Sequence, residues 1–145
     1  MFKEKMNATG KVHVVLTDKN GKIKQEFETN NLVVDDGLDH IASRLHSTPT
    51  AMSHMALGSD NTAAASSDSA LGTELARVTF DSDNVTNNAI AYVATFSAGT
   101  ATGSISEAGI FNASSSGTML CRTVFSVVNK AASDVLTVTW TVTIA

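Results

Sequence analysis

The stretch that decides the fold is residues 135–144, VLTVTWTVTI, in which large apolar side chains alternate with threonine. Five apolar side chains share one face of this stretch: Leu136, Val138, Trp140, Val142 and Ile144. Val135 and four threonines occupy the other face. Because successive side chains of a strand point to opposite faces of a sheet, this period of two is typical of a half-buried strand. We therefore predict a β-strand here, packed on a core by one face.

Seven further stretches are rich in the branched and aromatic side chains that pack well on a pleated surface. They are residues 11–17, 23–29, 52–58, 74–81, 85–97, 104–111 and 118–128. Turn-forming residues separate them: Asn20-Gly21 is a strong hairpin signal, and residues 81–84, DSDN, are predicted as another turn. Eight strands at this spacing predict an all-β fold, an antiparallel β-sandwich or jelly roll, whose strand order the sequence leaves open.

One segment has helical rather than strand periodicity. Its apolar side chains lie at positions i, i+3, i+4 and i+7 and form one stripe: Leu38, Ile41, Ala42 and Leu45. Asp35 or Asp36 is expected to cap the N-terminus, where acidic side chains are favoured. Pro49 prevents the helix from continuing. We predict one short helix near residues 36–46.

The chain is expected to form an arm and one domain. A length of 145 residues fits a single domain. We assign residues 1–10 to an N-terminal arm and residues 11–145 to a single β-sandwich domain. Residues 59–73, SDNTAAASSDSALGT, are predicted as a long loop of small residues, and loops of this length are usually functional or mobile. Leu71 is expected to anchor that loop to the core.

Composition excludes several classes of protein. A single cysteine, Cys121, rules out a disulfide framework and a four-cysteine zinc site. No apolar run approaches the roughly 18–20 residues that span a bilayer, so no membrane association is expected. The N-terminus lacks the apolar segment of a secretory signal. A net charge of −4 without a basic block argues against nucleic acid as a partner.

Charge is unevenly distributed along the chain. Residues 51–145 contain only three basic side chains, and Ala, Ser and Thr make up 53 of the 145 residues. A surface of short hydroxyl and methyl groups costs little to desolvate and to order, which favours packing against other proteins. An ordinary β-rich domain with threonine on its solvent face has the same composition, so both interpretations stay open.

The sequence contains no constellation that is typical of catalysis or of metal binding. His40 and His46 are six residues apart and do not share a helix face, and a capped helix start explains the acidic residues beside them. Asp81-x-Asp83 lacks the glycine and the closing glutamate of a calcium loop. No serine lies in a G-x-S-x-G turn, and Cys121 lies in the middle of a predicted strand. We predict a non-enzymatic chain with no catalytic, cofactor-binding or metal-binding residues.

Two blocks of the sequence resemble segments of tailed-bacteriophage virion proteins. The first block is ALGSDNT at residues 56–62, followed by DSALGTELAR at residues 68–77. The second is residues 104–145, which include an EAGIF strand, a G-x-ML-x-R strand and a threonine-rich terminal strand. The blocks cover about half of the chain. Ser59 and Asn61 depart from the threonine and glycine that are usual in this segment.

Proteins of this kind are capsid cement or decoration proteins, or components of the tail, fibre or baseplate. The resemblance implies a virion structural protein on the capsid exterior, made in the host cytoplasm, with the major capsid protein as partner and a dimer or trimer as its own state. The arm at 1–10 and the loop at 59–73 are then expected to reach neighbouring subunits.

The alternative implied by the resemblance is a tail fibre, tail or baseplate component involved in host attachment. The chain contains no repeat from which a long fibre shaft would be built. Tyr92 and Trp140 fall on apolar faces, whereas a sugar-binding tip requires exposed aromatic rings. These two observations favour the cement interpretation.

Overall fold

Residues 6–145, the part described by the computed structural model, form a mostly β structure with one helix. Strands account for 54% of it, and they form one antiparallel sheet that is curled into a half barrel. The elements in chain order are β1 (Ala8–Thr17), β2 (Ile23–Val33), α1 (Asp35–His46), β3 (His54–Gly58), β4 (Glu74–Thr79), β5 (Ser82–Thr86), β6 (Ala89–Phe96), β7 (Gly103–Phe111), β8 (Met119–Lys130) and β9 (Val135–Ile144).

The strand order is β4-β3-β7-β8-β2-β1-β9-β6-β5, and all neighbours are antiparallel. The sheet has two halves that meet at a narrow joint between β2 and β8. Only two residue pairs form this joint, Leu32 with Arg122 and Val33 with Cys121. The rest of β2 pairs with β1 alone, so the two halves are free to curl towards each other over a common core.

The predicted strand at 135–144 lies inside the sheet, between β1 and β6. Its predicted apolar face is the buried one, and Trp140 is fully enclosed together with Leu136 and Val138. Each such side chain stabilises the folded state by about 1.5–3 kcal/mol when it leaves water. The core also takes side chains from β7 and β8, so both halves of the sheet contribute to it.

The structure has a ninth strand that the sequence pattern did not predict. Residues 82–86 were predicted as part of a turn and the start of a longer strand, but they form β5, which pairs with β6. The reversal occurs instead at Asn87-Asn88, where Asn87 has a φ of 55°. Asparagine adopts positive φ more readily than other side chains, and a two-residue hairpin turn requires it.

The N-terminal strand begins earlier than predicted. Of the arm assigned to residues 1–10, residues 1–5 lie outside the described part of the chain, and Ala8–Gly10 belong to β1. These residues pair with the last residues of β9, whose backbone groups need partners along its whole length. Asn7 and Ala145 continue the ladder with two backbone hydrogen bonds of 2.6 and 2.8 Å.

The predicted helix is confirmed as α1, but the predicted aspartate cap is wrong. Val34 is the N-cap residue and no side chain caps the helix. Backbone groups of neighbouring segments replace the cap, because the amide of Asp35 donates to the carbonyl of Ser66 at 2.9 Å. Gly37 is the buried residue of the helix, and a Cβ placed there would lie 2.1 Å from the carbonyl oxygen of Leu120. The missing side chain therefore lets α1 approach the backbone of β8.

Candidate interaction surface

A buried carboxylate, Glu107 on β7, fastens the loop at residues 59–73 to the sheet. Glu107 is 0% exposed, and its oxygens accept backbone N–H groups of Asp60, Gly72 and Thr73 at 2.9, 2.9 and 2.8 Å. Nε of Arg122, 3% exposed, donates to the same carboxylate at 3.1 Å. A buried charge is costly unless it is paired and hydrogen-bonded, and these four donors supply both kinds of partner to the carboxylate.

Arg122 extends the fastening from the sheet into the middle of the loop. Its Nη1 donates to Oδ2 of Asp68 at 3.0 Å, and the same oxygen accepts the amide of Ala65 at 2.9 Å. Leu71 is buried nearby in a small apolar cluster with Phe111 and Met119, as the sequence led us to expect. The loop is thus held at its two ends and at its centre.

Small residues make room for this polar cluster, which we call the loop clamp (Asp60, Asp68, Glu107 and Arg122). A Cβ on Gly58 would lie 2.6 Å from Oε2 of Glu107, and one on Gly72 would lie 1.7 Å from Oδ2 of Asp60. The clamp was missed from the sequence. Its signal was a lone acid in the apolar strand SISEAGIF and a lone base in the strand MLCRTVF, which are neighbours in the sheet.

Arg77 on β4 forms a second link between the two sequence blocks. Its guanidinium lies 3.7 Å from the centroid of the Phe111 ring and pairs with Glu74. Nη1 donates to the carbonyls of Ala113 and Ser116 at 3.0 and 2.9 Å. A cation over an aromatic face contributes about 0.5–2 kcal/mol, depending on how far it is desolvated.

An exposed apolar stripe runs along α1, although stripes of this kind usually face a core. Leu45 is 88% exposed and Leu38 is 45% exposed, while Ile41 is half-buried. Between α1 and the inner face of the sheet lies an open groove of about 440 Å³. Its walls are mainly apolar: Ile41, Leu45, Met52, Val85, Ile90, Leu120, Val142 and Ile144 line it among others. The helix therefore covers part of the open side of the half barrel and leaves the groove between itself and the sheet unfilled.

Four titratable side chains line the groove: His40, Arg44, Asp83 and Tyr92. Burial, and to a smaller degree the neighbouring Arg44, lower the pKa of His40. Burial raises the pKa of Tyr92 to about 12, and the nearby Cys121 and Asp83 add to this shift. Most of the groove's walls are apolar, and one basic and one acidic side chain, Arg44 and Asp83, also line it.

The ends of α1 carry opposite charges. Asp35 and Asp36 lie in the first turn and Asp39 follows them, whereas Arg44 and His46 lie in the last turn. All of these side chains are exposed, and Arg44 donates to the carbonyl of Pro49 at 2.7 Å. The charges complement the helix dipole at both ends.

The outer face of β6 and β9 carries short uncharged side chains. It is made of partly exposed threonine, alanine and valine: Ala89, Ala91, Val93, Thr95, Thr137, Thr139, Thr141 and Thr143. The acidic and basic side chains of this half of the sheet lie on β1 and β2, where Lys11 pairs with Glu28 and His13 hydrogen-bonds Glu26.

The residues that the sequence singled out for chemistry lie apart. His40 and His46 are on α1, whereas Asp81 lies between β4 and β5 and accepts the hydroxyl of Thr95. Burial raises the pKa of the Cys121 thiol well above its ordinary value. Among residues 6–145, no three potential metal-ligating side chains come together.

Tyr92 and Trp140 are both buried, which confirms the prediction that they fall on the inner face. Nε1 of Trp140 donates to Oδ1 of Asn31 at 3.1 Å, so even its polar edge is occupied. The described segment also contains no helix with the length and hydropathy of a membrane span. Comparison with protein-family models, curated proteins and solved structures found no match to this chain.

Proposed function

We propose that this chain is a non-enzymatic structural protein of a tailed-bacteriophage virion, a cement or decoration protein that binds and stabilises the capsid. The observation that carries the proposal is the meeting of the two resembling sequence blocks in the loop clamp. Arg122 of the second block donates there both to Asp68 of the first block and to Glu107 of the second. Residues of both sequence blocks thus form one polar cluster, which supports treating the two blocks as parts of the same structural unit.

The outer face of β6 and β9 supports contact with protein rather than with solvent alone. Lys and Glu are depleted from the centres of protein interfaces, and this face carries neither. Threonine, alanine and valine lose little side-chain entropy when a partner covers them, so docking costs little ordering. A sheet with a buried core keeps such a face rigid.

We also infer that the two halves of the curled sheet are the two layers of a sandwich. Phe27 on β2 and Phe125 on β8 pack with their ring centroids 5.4 Å apart, on the side where the two halves of the sheet are joined. Phe80, after β4, and Tyr92 on β6 lie 4.7 Å apart on the open side. Aromatic contacts at both sides of one core support two facing layers, and an experimental structure with strand directions resolved tests this inference.

Quantitative mass spectrometry of purified particles tests the function. In virions of the phage that encodes this chain, we expect a copy number comparable to that of the major capsid protein. A few copies per particle would contradict the cement role and favour the tail or baseplate alternative.

A binding assay tests the surface. Ala91→Arg places a charge on the outer face of β6 and is expected to abolish binding of the purified protein to capsids that lack it. Val127→Arg is the matched control, because Val127 is an exposed apolar side chain on β8, away from that face. Equal binding by both variants would rule out the outer face as the docking surface.

A further inference from the structure

The groove between α1 and the sheet has an acidic corner on its mainly apolar walls. In the β5–β6 pair, Asp83 lies directly opposite Tyr92, and Val85 lies opposite Ile90. All four of these residues line the groove. Because residues directly opposite each other on antiparallel strands share one face of the sheet, the carboxylate lies on the same inner face as the Tyr92 ring. The edge strand β5 therefore presents a carboxylate to an apolar groove.

The hydroxyl of Tyr92, beside this carboxylate, lacks a hydrogen-bond partner. The Tyr92 side chain is only 6% exposed, and within residues 6–145 its hydroxyl forms no hydrogen bond. The fully enclosed polar side-chain atom without a partner in this part of the chain is Nδ2 of Asn31, so the Tyr92 hydroxyl keeps an opening to the groove. Buried tyrosine hydroxyls usually find a partner, and this one is therefore placed to bond a ligand.

The charges of the groove favour a cationic head group. Asp83 is exposed, and within residues 6–145 no hydrogen bond or salt bridge engages its carboxylate. Arg44, on the helix side of the groove, already donates to the carbonyl of Pro49 at 2.7 Å. The charged group without a bonding partner in the groove is therefore the acidic one. A carboxylate and a phenol oxygen both accept hydrogen bonds, and a primary ammonium has three N–H donors with which to satisfy them.

We propose that this groove binds a primary alkylammonium ion, with the ammonium held between Asp83 and Tyr92 and the alkyl chain lying along the apolar walls. The ammonium donates to the Asp83 carboxylate and to the Tyr92 hydroxyl oxygen, and the chain packs on Val85, Ile90 and Val142. The groove volume of about 440 Å³ is at the small end of the range of about 300–1,000 Å³ that is usual for ligand sites, which suits a short chain. The proposal does not rest on the proposed virion function.

Isothermal titration calorimetry of the purified chain with octylammonium, octanol and octanoate tests the head group at constant chain length. Octylammonium is expected to bind at least about tenfold more tightly than octanol, because hydrogen bonds that involve charged groups are stronger than neutral ones. Octanoate is expected to bind more weakly than octanol, because the Asp83 carboxylate repels it. Equal affinities for the three compounds, or tightest binding of octanoate through Arg44, would overturn the proposal. Absence of octylammonium binding at about 5 mM, as when a protein segment occupies the groove, would also overturn it.

A matched pair of charge variants separates the groove from general attraction of cations to a chain with a net charge of −4. Asp83→Asn is expected to weaken octylammonium binding about tenfold and to leave octanol binding unchanged. Asp39→Asn removes the same charge from an exposed position of α1 that does not line the groove, and it should bind octylammonium as the wild type does. An equal loss of affinity in both variants would contradict the assigned site.

Tyr92→Phe tests the hydroxyl alone, because it keeps the aromatic ring that lies 4.7 Å from the ring of Phe80. It is expected to weaken octylammonium binding by about threefold to tenfold, and unchanged binding by this variant would rule out the hydroxyl as a contact. Should circular dichroism show this core variant unfolded, Asp83→Asn, at an exposed edge position, still decides the proposal.

Two-dimensional NMR spectra of the labelled wild-type chain locate the ligand. Octylammonium is expected to shift the amide signals of Val85 and Ile90, which line the groove. The signals of Phe27 and Phe125, on the side where the two halves of the sheet are joined, should stay in place. Shifts confined to a surface outside the groove would refute the site even if octylammonium binds.

Discussion

At the scale of single residues, the buried side chain of Glu107 holds the loop at residues 59–73 against the sheet. Its carboxylate accepts three backbone amides of the loop and one guanidinium N–H, so four donors depend on this one side chain for a hydrogen-bond acceptor. Removing one member of a buried pair leaves an uncompensated charge and typically costs about 3–5 kcal/mol. The order of residues 59–73 therefore depends on a side chain that lies outside them.

Glu107→Gln is expected to lower the free energy of unfolding by about 3 kcal/mol, because an amide NH₂ would face a backbone N–H and Arg122 would lose the buried one of its two carboxylate partners. Urea unfolding measures the loss. Elastase digestion under native conditions reports the loop separately and should cut the variant faster within residues 59–73. Glu26→Gln, at an exposed pair with His13, is the control and should change neither measurement appreciably. An unchanged loop in E107Q would show that the clamp is not what holds it.

At the scale of elements, α1 is attached by its backbone more than by its side chains. The helix contacts the backbone of β8 through Gly37, and of its apolar stripe Ile41 packs against the core while Leu38 and Leu45 stay exposed. The usual argument, that an amphipathic helix is held by burial of its stripe, does not account for this attachment. Close backbone approach at one glycine does.

Gly37→Ala tests this attachment. Alanine normally stabilises a helix interior by up to about 1 kcal/mol over glycine, so a loss of stability would be diagnostic. We expect a loss of about 1–3 kcal/mol in urea unfolding, because the added methyl overlaps the carbonyl of Leu120. Ser43→Ala, at an exposed position of the same helix, should leave stability nearly unchanged. A G37A variant as stable as wild type would show that α1 can shift away from β8 without cost.

Local patterns in the sequence predicted most elements, because alternation and helical periodicity are read within a few residues. The inner face of β9, the β1–β2 hairpin and α1 follow from such patterns. The ninth strand, β5, was not predicted, because the DSDN run is typical of a turn. The chain reverses instead at Asn87, which has a positive φ. The strand order and the loop clamp could not be predicted from local patterns, because they depend on pairs such as Asp68 and Arg122 that are distant in the chain.

At the scale of the whole molecule, the free energy of unfolding depends on carboxylates whose hydrogen bonds and ion pairs favour the ionised form. The Lys24 ammonium and the amide of Ala131 hold the pKa of Asp134 below its ordinary value of 3.8. The amide and hydroxyl of Thr62 lower the pKa of Asp60 in the loop clamp in the same way. A group whose pKa is lower in the folded state stabilises the fold above its unfolded pKa, and this contribution is lost as pH falls through the folded value.

The melting temperature is therefore expected to be steady near neutral pH and to fall once the pH drops below about 4. Asp134→Asn should melt at a lower temperature at pH 7 and show a shallower fall in acid, because its ionised contribution is already absent. Asp36→Asn, at an exposed carboxylate of α1, is the control and should retain the wild-type profile. Parallel acid profiles for D134N and wild type would contradict this assignment.

The pairing of the first and last strands has a mechanical consequence. Asn7 and Ala145 are bonded to each other at one end of the β1–β9 ladder. Because ladder hydrogen bonds lie across the strands, a pull on these two residues opens the bonds one after another, as a zipper opens. Tension applied along the strands instead loads many bonds at once. The β1–β9 ladder is therefore expected to yield at a lower force when Asn7 and Ala145 are pulled apart than when the two strands are pulled past each other along their length.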